Sequence, residues 1–239
     1  MTTVTLIPIL EDNYAYILET TGGAVAVVDA GDSGPVIAYL DQHHLTPSYI
    51  LNTHHHGDHV AGNAALREKY ACPVLGAEKE RAKIQTLTNG LKDGDIIKLG
   101  KKNIHVIETP GHTAGAICYY LPASGLLFTG DTLFSLGCGR IFDGTAQEYW
   151  ESFQKICALP DETLIYCGHE YTQSNAAFCL SIEADNTDLR RRVEEVNILR
   201  AENKATLPVT LGLEKKTNVF LRAGSAERFK TLRALKDRF

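Results

Sequence analysis

The sequence has no Cys-x-x-Cys pair, no apolar run approaching the roughly 20 residues needed to cross a bilayer, and no excess of basic residues. Each absence excludes something. Without paired spacing, the six cysteines (Cys72, Cys118, Cys138, Cys157, Cys167 and Cys179) build neither a zinc ribbon nor a thioredoxin-like motif. In a chain of this length they read as reduced thiols, mostly buried. The opening Met1 to Pro8 carries no cationic segment and no cleavable apolar stretch, so no signal peptide is expected. Free thiols and the missing leader together predict a cytoplasmic protein with no membrane partner. A formal charge of −5 argues against a nucleic-acid partner, which normally calls for a basic face. It leaves room for a local basic pocket that binds an anionic substrate. Internal repeats, low-complexity tracts and Ser/Gly linkers are also missing.

What remains is ordinary globular composition. The 239 residues are 44% hydrophobic and 22% charged, enough to bury a real core. Short runs rich in Val, Ile and Tyr, bounded by turn residues, predict strands at Leu6 to Ile9, Tyr16 to Leu18, Ala24 to Val28 and Tyr49 to Leu51. Others are expected at Ile104 to Ile107, Ile117 to Tyr120, Leu126 to Phe128 and Leu164 to Tyr166. Ser33 to His44 reads as a helix begun by Ser33. Thr145 and Glu148 have capping-box spacing before an amphipathic stretch carrying Tyr149, Phe153, Ile156 and Leu159. Beyond about residue 170 the character becomes helical. Asn175 to Ala205 reads as two helices broken near Asp185 to Asp188, and Ala226 to Phe239 as another. The expected organisation is an α/β domain over residues 1–169 and a small, mostly helical domain over 170–239.

Four of the expected strands run into metal-ligand residue types. Tyr49 to Leu51 leads to Thr53-His54-His55-His56-Gly57-Asp58-His59, and Ile104 to Ile107 leads to Thr109-Pro110-Gly111-His112. Leu126 to Phe128 leads to Asp131, and Leu164 to Tyr166 leads to His169. Loops at rigid strand ends are where functional side chains are usually held. His54 and His56 are two apart, so in an extended segment both point the same way while His55 points elsewhere. Imidazole and carboxylate suit zinc and similar divalent ions. A single histidine such as His112 or His169 is most often structural, and an Asp after a Gly is most often a turn residue. The cluster reverses that judgement. One tetrahedral metal cannot use His54, His56, Asp58, His59, His112, Asp131 and His169, but two metals can if one carboxylate bridges them. His43 and His44, at a helix end, and His105, in a strand, are read as structural.

These motifs resemble the metallo-β-lactamase fold hydrolases, and within them the hydroxyacylglutathione hydrolases (glyoxalase II). The closer likeness lies in Thr109 to Thr113 (Thr-Pro-Gly-His-Thr), Thr129 to Phe134 (Thr-Gly-Asp-Thr-Leu-Phe), Gly137 to Arg140, Cys167 to Thr172 and the Leu-Lys-Asp-Arg-Phe of Leu235 to Phe239. It covers nearly the whole chain. The resemblance implies an αββα sandwich with a small C-terminal helical domain. It also implies two metals, zinc first with iron or manganese accepted, one taking His54, His56 and His112 and the other Asp58, His59 and His169. Asp131 bridges them together with a water or hydroxide, and Asp58 and Asp131 are the catalytic carboxylates. The implied substrate is an S-2-hydroxyacylglutathione such as S-lactoylglutathione, which places the enzyme in methylglyoxal detoxification. Arg140, Tyr171, Arg233 and Lys236 are implied as contacts to the anionic tripeptide. Phe142 stands where some members carry a tyrosine, and it cannot donate that hydroxyl's hydrogen bond. A monomer is expected. Competing readings are another hydrolase of the same fold, a persulfide dioxygenase, which needs a single iron, and a metal-stabilised protein without catalysis. A cysteine-free set with a shared carboxylate argues against the last, since structural zinc sites are usually closed and cysteine-rich.

Overall fold

The computed structural model describes residues 2–239. The strands are β1 (Thr2–Ile9), β2 (Asn13–Thr20), β3 (Val25–Val28), β4 (Pro47–Leu51), β5 (Val74–Ala77), β6 (Asn89–Leu91), β7 (Ile96–Leu99), β8 (Lys102–Glu108), β9 (Ile117–Leu121), β10 (Leu126–Gly130), β11 (Leu164–Cys167) and β12 (Val209–Thr210). The helices are α1 (Ser33–Gln42), α2 (Gly57–Val60), α3 (Asn63–Tyr70), α4 (Ala146–Cys157), α5 (Thr172–Ile182), α6 (Thr187–Ala201), α7 (Leu211–Thr217) and α8 (Ala226–Lys236). One six-stranded sheet holds β1 to β6 and the other holds β7 to β12. Two mixed sheets flanked by helices, with the helical run α5 to α8 following, form the architecture expected from the sequence.

All eight expected strands form, most of them longer at one or both ends than their apolar runs. Strands β5, β6, β7 and β12 lie outside the expected set, as does α3, whose buried face is only Asn63 and Leu66. Helix α1 is capped by Asp32 rather than Ser33: the Asp32 carboxylate accepts the Gly34 N–H at 2.9 Å. Asp one residue earlier can reach the free amides of the first turn, so the helix starts where its cap allows. The Thr145–Glu148 capping box forms as expected. The long C-terminal stretch breaks before Asn186, whose side chain caps α6 by accepting the Leu189 N–H. Helix α5 begins at Thr172, three residues before the expected Asn175.

The chain divides into two compact units, Met1–Glu108 with Gly115–Ser124, and Thr109–Ala114 with Gly125–Phe239. In the first, β1, β2 and β3 are antiparallel neighbours, and β3, β4, β5 and β6 run parallel. Its core joins Ile17, Val25, Val27 and Ile50 of the sheet to Val36 and Leu40 of α1 and Leu66 of α3. In the second, β10 and β11 are parallel and β12 pairs antiparallel with β11. An aromatic cluster of Tyr149, Phe153 and Phe229 packs α4 against α8 with ring centroids 5.1–5.4 Å apart. All six cysteines are free and five are buried. Among the described residues no helix is long and apolar enough to cross a membrane.

Candidate metal centre

Parallel strands end on the same side of a sheet, and that places the ligand loops. In the first unit β3 and β4 pair Val28 with Leu51, so Asp29 and Thr53 leave the sheet side by side. Asp29 sits at φ +51°, an uncommon conformation for a side-chain-bearing residue. It is fixed by accepting the Thr53 N–H at 2.8 Å and the Thr53 hydroxyl at 2.7 Å, and its carboxylate lies 3.1 Å from His59 Nδ1. Because the Thr53 hydroxyl gives its proton to Asp29, its oxygen accepts from His54 Nδ1 at 3.1 Å. The proton is thereby held on His54 Nδ1 and its Nε2 lone pair is left for a metal, and the Asp29 carboxylate beside His59 Nδ1 favours the same tautomer there. His54 Nε2 and His56 Nδ1 then lie 3.0 Å apart, two ring nitrogens facing one point.

Asp58 is positioned from the opposite side. The Asn13 amide donates to its Oδ2 at 2.8 Å, and that oxygen lies 3.5 Å from His59 Nε2. Gly31 makes this possible: a Cβ there would come within 1.8 Å of the Asp58 carbonyl oxygen. His55, as its alternation predicted, turns away from the ligands and pairs with the buried carboxylate of Glu80. Glu80 in turn accepts the Gly115 N–H at 3.1 Å.

In the second unit Asp131 directly follows β10 and His169 lies two residues past β11, and these strands pair Gly130 with Cys167. Asp131 Oδ2 lies 3.5 Å from His112 Nε2 and 3.3 Å from His169 Nε2. One carboxylate oxygen thus faces two imidazoles. His112 Nδ1 donates to the Arg140 carbonyl at 2.8 Å, which again fixes the tautomer that offers Nε2. Gly139 permits this close approach, since a Cβ there would meet the Asp131 carbonyl oxygen at 2.3 Å and His112 Nδ1 at 2.6 Å. The buried Tyr149 hydroxyl lies 3.0 Å from the Asp131 carbonyl and 2.9 Å from that of Thr132, holding the strand end in place.

Among the described residues, two groups of side chains offer ligand atoms close enough to hold a metal ion: His54, His56, His112 and Asp131, and Asp58, His59 and His169. The donor set fits borderline divalent cations, being imidazole and carboxylate without thiolate. His43 caps α1 and His105 lies within β8, both outside these groups.

The residues expected to contact substrate lie in the second unit and differ in exposure. The Tyr171 ring stacks on His169 at 4.6 Å, and the Phe142 ring meets His112 edge-on at 5.2 Å. Phe142 is 62% exposed and Tyr171 37%. The Arg140 side chain is exposed, 3.7 Å from Asp237. Lys236 donates to the carbonyl and hydroxyl of Ser174 at 3.1 Å, and burial and then the nearby Arg233 lower its ammonium pKa. Arg233 is only 5% exposed. Its guanidinium donates to the Cys138 carbonyl at 2.7 Å and to Asp237 at 3.0 Å. Burial pushes the neighbouring Cys138 thiol up to about 11, against the pull of Arg233, so it stays protonated at neutral pH.

Sequence reasoning missed Asp29, Asn13 and Glu80, the groups that orient the first ligand segment. Asp29 stood in the turn after an expected strand, but nothing local tied it to Thr53 or His59, 24 and 30 positions away.

The metallo-beta-lactamase superfamily matches residues 9–169, and the hydroxyacylglutathione hydrolase C-terminus matches residues 170–239. A hydroxyacylglutathione hydrolase of Methylococcus capsulatus is 47% identical over 92% of this chain and 87% of its own. One of Rhodopseudomonas palustris is 48% identical over the same shares. Among solved structures, ETHE1 from Myxococcus xanthus superposes with a TM-score of 0.73 at 24% identity, over 97% of this chain and 90% of that one, a likeness of fold. Ligand geometry, fold and both family matches agree, and the chain belongs to the hydroxyacylglutathione hydrolases, hydrolytic enzymes of the metallo-beta-lactamase superfamily.

Proposed function

We propose that the enzyme cleaves S-2-hydroxyacylglutathione thioesters, with S-lactoylglutathione as the type substrate, to glutathione and a 2-hydroxy acid. The observation that carries this is the pairing of a cysteine-free His/Asp ligand set with a C-terminal segment matching that of hydroxyacylglutathione hydrolases. Two zinc ions are assigned, one to His54, His56 and His112 and the other to Asp58, His59 and His169, with Asp131 between them. The position of Asp131 Oδ2 between the Nε2 atoms of His112 and His169 supports that division. Bound divalent cations would supply Lewis acidity for the thioester carbonyl and acidify a water near neutral pH.

The protein's own residues do the rest. Thr53 and the Arg140 carbonyl hold the protons of His54 and His112 on Nδ1, and the Asp29 carboxylate favours the same tautomer in His59, keeping the Nε2 donors aligned. Asn13 keeps Asp58 turned as a ligand rather than a proton carrier. The leaving group is a thiolate whose conjugate acid has a pKa of about 8.5, so it departs without a dedicated general acid. Arg140 and Lys236 are the cations placed to receive the glutathione carboxylate, and Tyr171 presents a hydroxyl to the tripeptide. Residues 1–169 form the catalytic domain and 170–239 the substrate-binding domain, and the enzyme works in the cytoplasm in methylglyoxal detoxification. Purified, metal-loaded protein should hydrolyse S-lactoylglutathione. Turnover no higher than that of an Asp131→Ala control would refute the assignment, and oxygen uptake on glutathione persulfide with one iron per chain would replace it with a dioxygenase.

A further inference from the structure

The segment from Phe134 to Arg140 links the Asp131 ligand to the carbonyl that orients His112. It is gripped almost entirely through its backbone. The Glu214 carboxylate is fully buried and accepts the Leu136 N–H at 2.8 Å and the Ser135 hydroxyl at 3.0 Å. The Asn218 amide donates to the Gly137 carbonyl at 3.0 Å, to the Phe134 carbonyl at 3.3 Å and to Glu214 at 3.0 Å. Arg233 donates to the Cys138 carbonyl at 2.7 Å. Two residues further on, the Arg140 carbonyl receives the His112 proton, and the Gly139 N–H donates to the Asp131 carbonyl at 2.9 Å.

We propose that Glu214, Asn218 and Arg233 are positioning residues for the metal centre, a buried clamp that fixes the 134–140 backbone and, through the Arg140 carbonyl, aims His112. This rests on the hydrolase reading of the site and goes beyond it. It gives the helical C-terminal segment a role in metal binding, and it gives Arg233 a task other than holding substrate. The physical warrant is cost. A buried carboxylate and a buried guanidinium are expensive to desolvate, and here each makes a hydrogen bond to the main chain of one loop, Glu214 from the Leu136 N–H and Arg233 to the Cys138 carbonyl. Leu136 is held in the left-handed region at φ +57° by the same grip. A main-chain carbonyl can aim an imidazole only as well as its own peptide is fixed, and outer partners of this kind are worth about 10–100-fold in metal affinity.

The test uses the full chain with Asn218→Asp, which keeps shape but turns a donor into an acceptor facing two carbonyls, and Arg233→Met, which keeps bulk without donors. Zinc affinity is measured by competition with a chromophoric chelator, and cobalt-substituted protein supplies a ligand-field spectrum. kcat and KM are measured on S-lactoylglutathione and on a small lactoyl thioester lacking the tripeptide. The clamp predicts a fall in zinc affinity in both variants, up to the roughly 10–100-fold that loss of a ligand's direct partner costs. It also predicts a shifted cobalt spectrum and a similar fractional loss of kcat on both thioesters. Zinc affinity unchanged in Arg233→Met, with KM raised only for the glutathione substrate, would overturn the proposal and leave Arg233 a substrate contact. A lower melting temperature with an unchanged cobalt spectrum in Asn218→Asp would reduce that residue to a structural one. Should Asn218→Asp not fold, Arg233→Lys carries the same readings with a gentler change. Failure of the wild-type enzyme to cleave either thioester would sink the substrate assignment while leaving the metal-affinity result to decide the clamp.

Discussion

The ligand segment at residues 53–59 and the loop at 131–140 solve the same problem by different means. The first is dense: four ligand-type residues in six positions, oriented by side chains of its own unit, with Asp29 on Thr53 and His59, Asn13 on Asp58 and Glu80 on His55. The second carries one ligand, Asp131, with Arg140 at its far end. Its order comes from buried groups far along the chain that hold its peptide groups. A side-chain support can be exchanged for a similar one with a graded loss. A clamp on main-chain atoms transmits any change to everything the loop touches.

The largest effect expected from breaking this contrast is at Asp131, whose carboxylate faces both His112 and His169. Asp131→Ala should lower kcat/KM on S-lactoylglutathione by about 10³-fold or more, the scale of roughly 4 kcal/mol of transition-state stabilisation. Metals per chain, measured on the same sample, should fall below two. Next comes Asp29→Ala. It frees the Thr53 hydroxyl and His59 Nδ1 together, and we expect about 10–100-fold weaker metal binding in chelator competition, with KM little changed. An Asp29 variant binding metal like the wild type would show that the dense segment is self-supporting.

How much of this could be read in the chain follows the same divide. His54, His56, Asp58 and His59 declared themselves because they are adjacent and sit at a strand end, and His55 was set aside by alternation alone. Strands β10 and β11 were visible as apolar runs, which brought Asp131 and His169 into view. Their orienting partners were not visible. Asp29 and Asn13 act across 24 to 45 positions, and Glu214, Asn218 and Arg233 reach back 78 to 95 to main-chain groups. Main-chain acceptors have no residue identity, so no motif can mark them. Arg233 and Lys236 are three apart on α8, as read, yet Arg233 turns inward while Lys236 stays near the surface. Spacing gives a shared face but not which end of that face meets a carbonyl.

Smaller tests sharpen the comparison. Gly31→Ala forces a Cβ into the Asp58 carbonyl and should cost about 1–3 kcal/mol by chemical denaturation, together with a loss of metal affinity. The pH dependence of stability should report the clamp. Burial raises the Glu214 carboxyl pKa above its ordinary value, so the folded protein holds that proton more tightly than the unfolded chain. Its contribution is full at pH below the ordinary carboxyl value and is lost as pH rises through the elevated one. Metal-free wild type should therefore lose stability over that interval, and Glu214→Gln should flatten the profile. Identical profiles would mean the carboxylate ionises without strain. The smallest change is Phe142→Tyr. It adds a hydroxyl to an exposed ring beside His112 and should lower KM for glutathione thioesters by about 2–10-fold, the worth of one hydrogen bond. An unchanged KM would place the tripeptide elsewhere.

The distance along the chain between His59 and Arg233 also has a consequence in time. At roughly 5–20 residues per second of synthesis, the dense ligand segment is made on the order of ten to thirty seconds before the guanidinium that secures the Cys138 carbonyl. During that interval a nascent chain exposes histidines able to capture an ion while the loop that aims His112 is still unanchored. On the proposed assignment His112 belongs with His54 and His56, so that ligand group is completed only once α8 has docked.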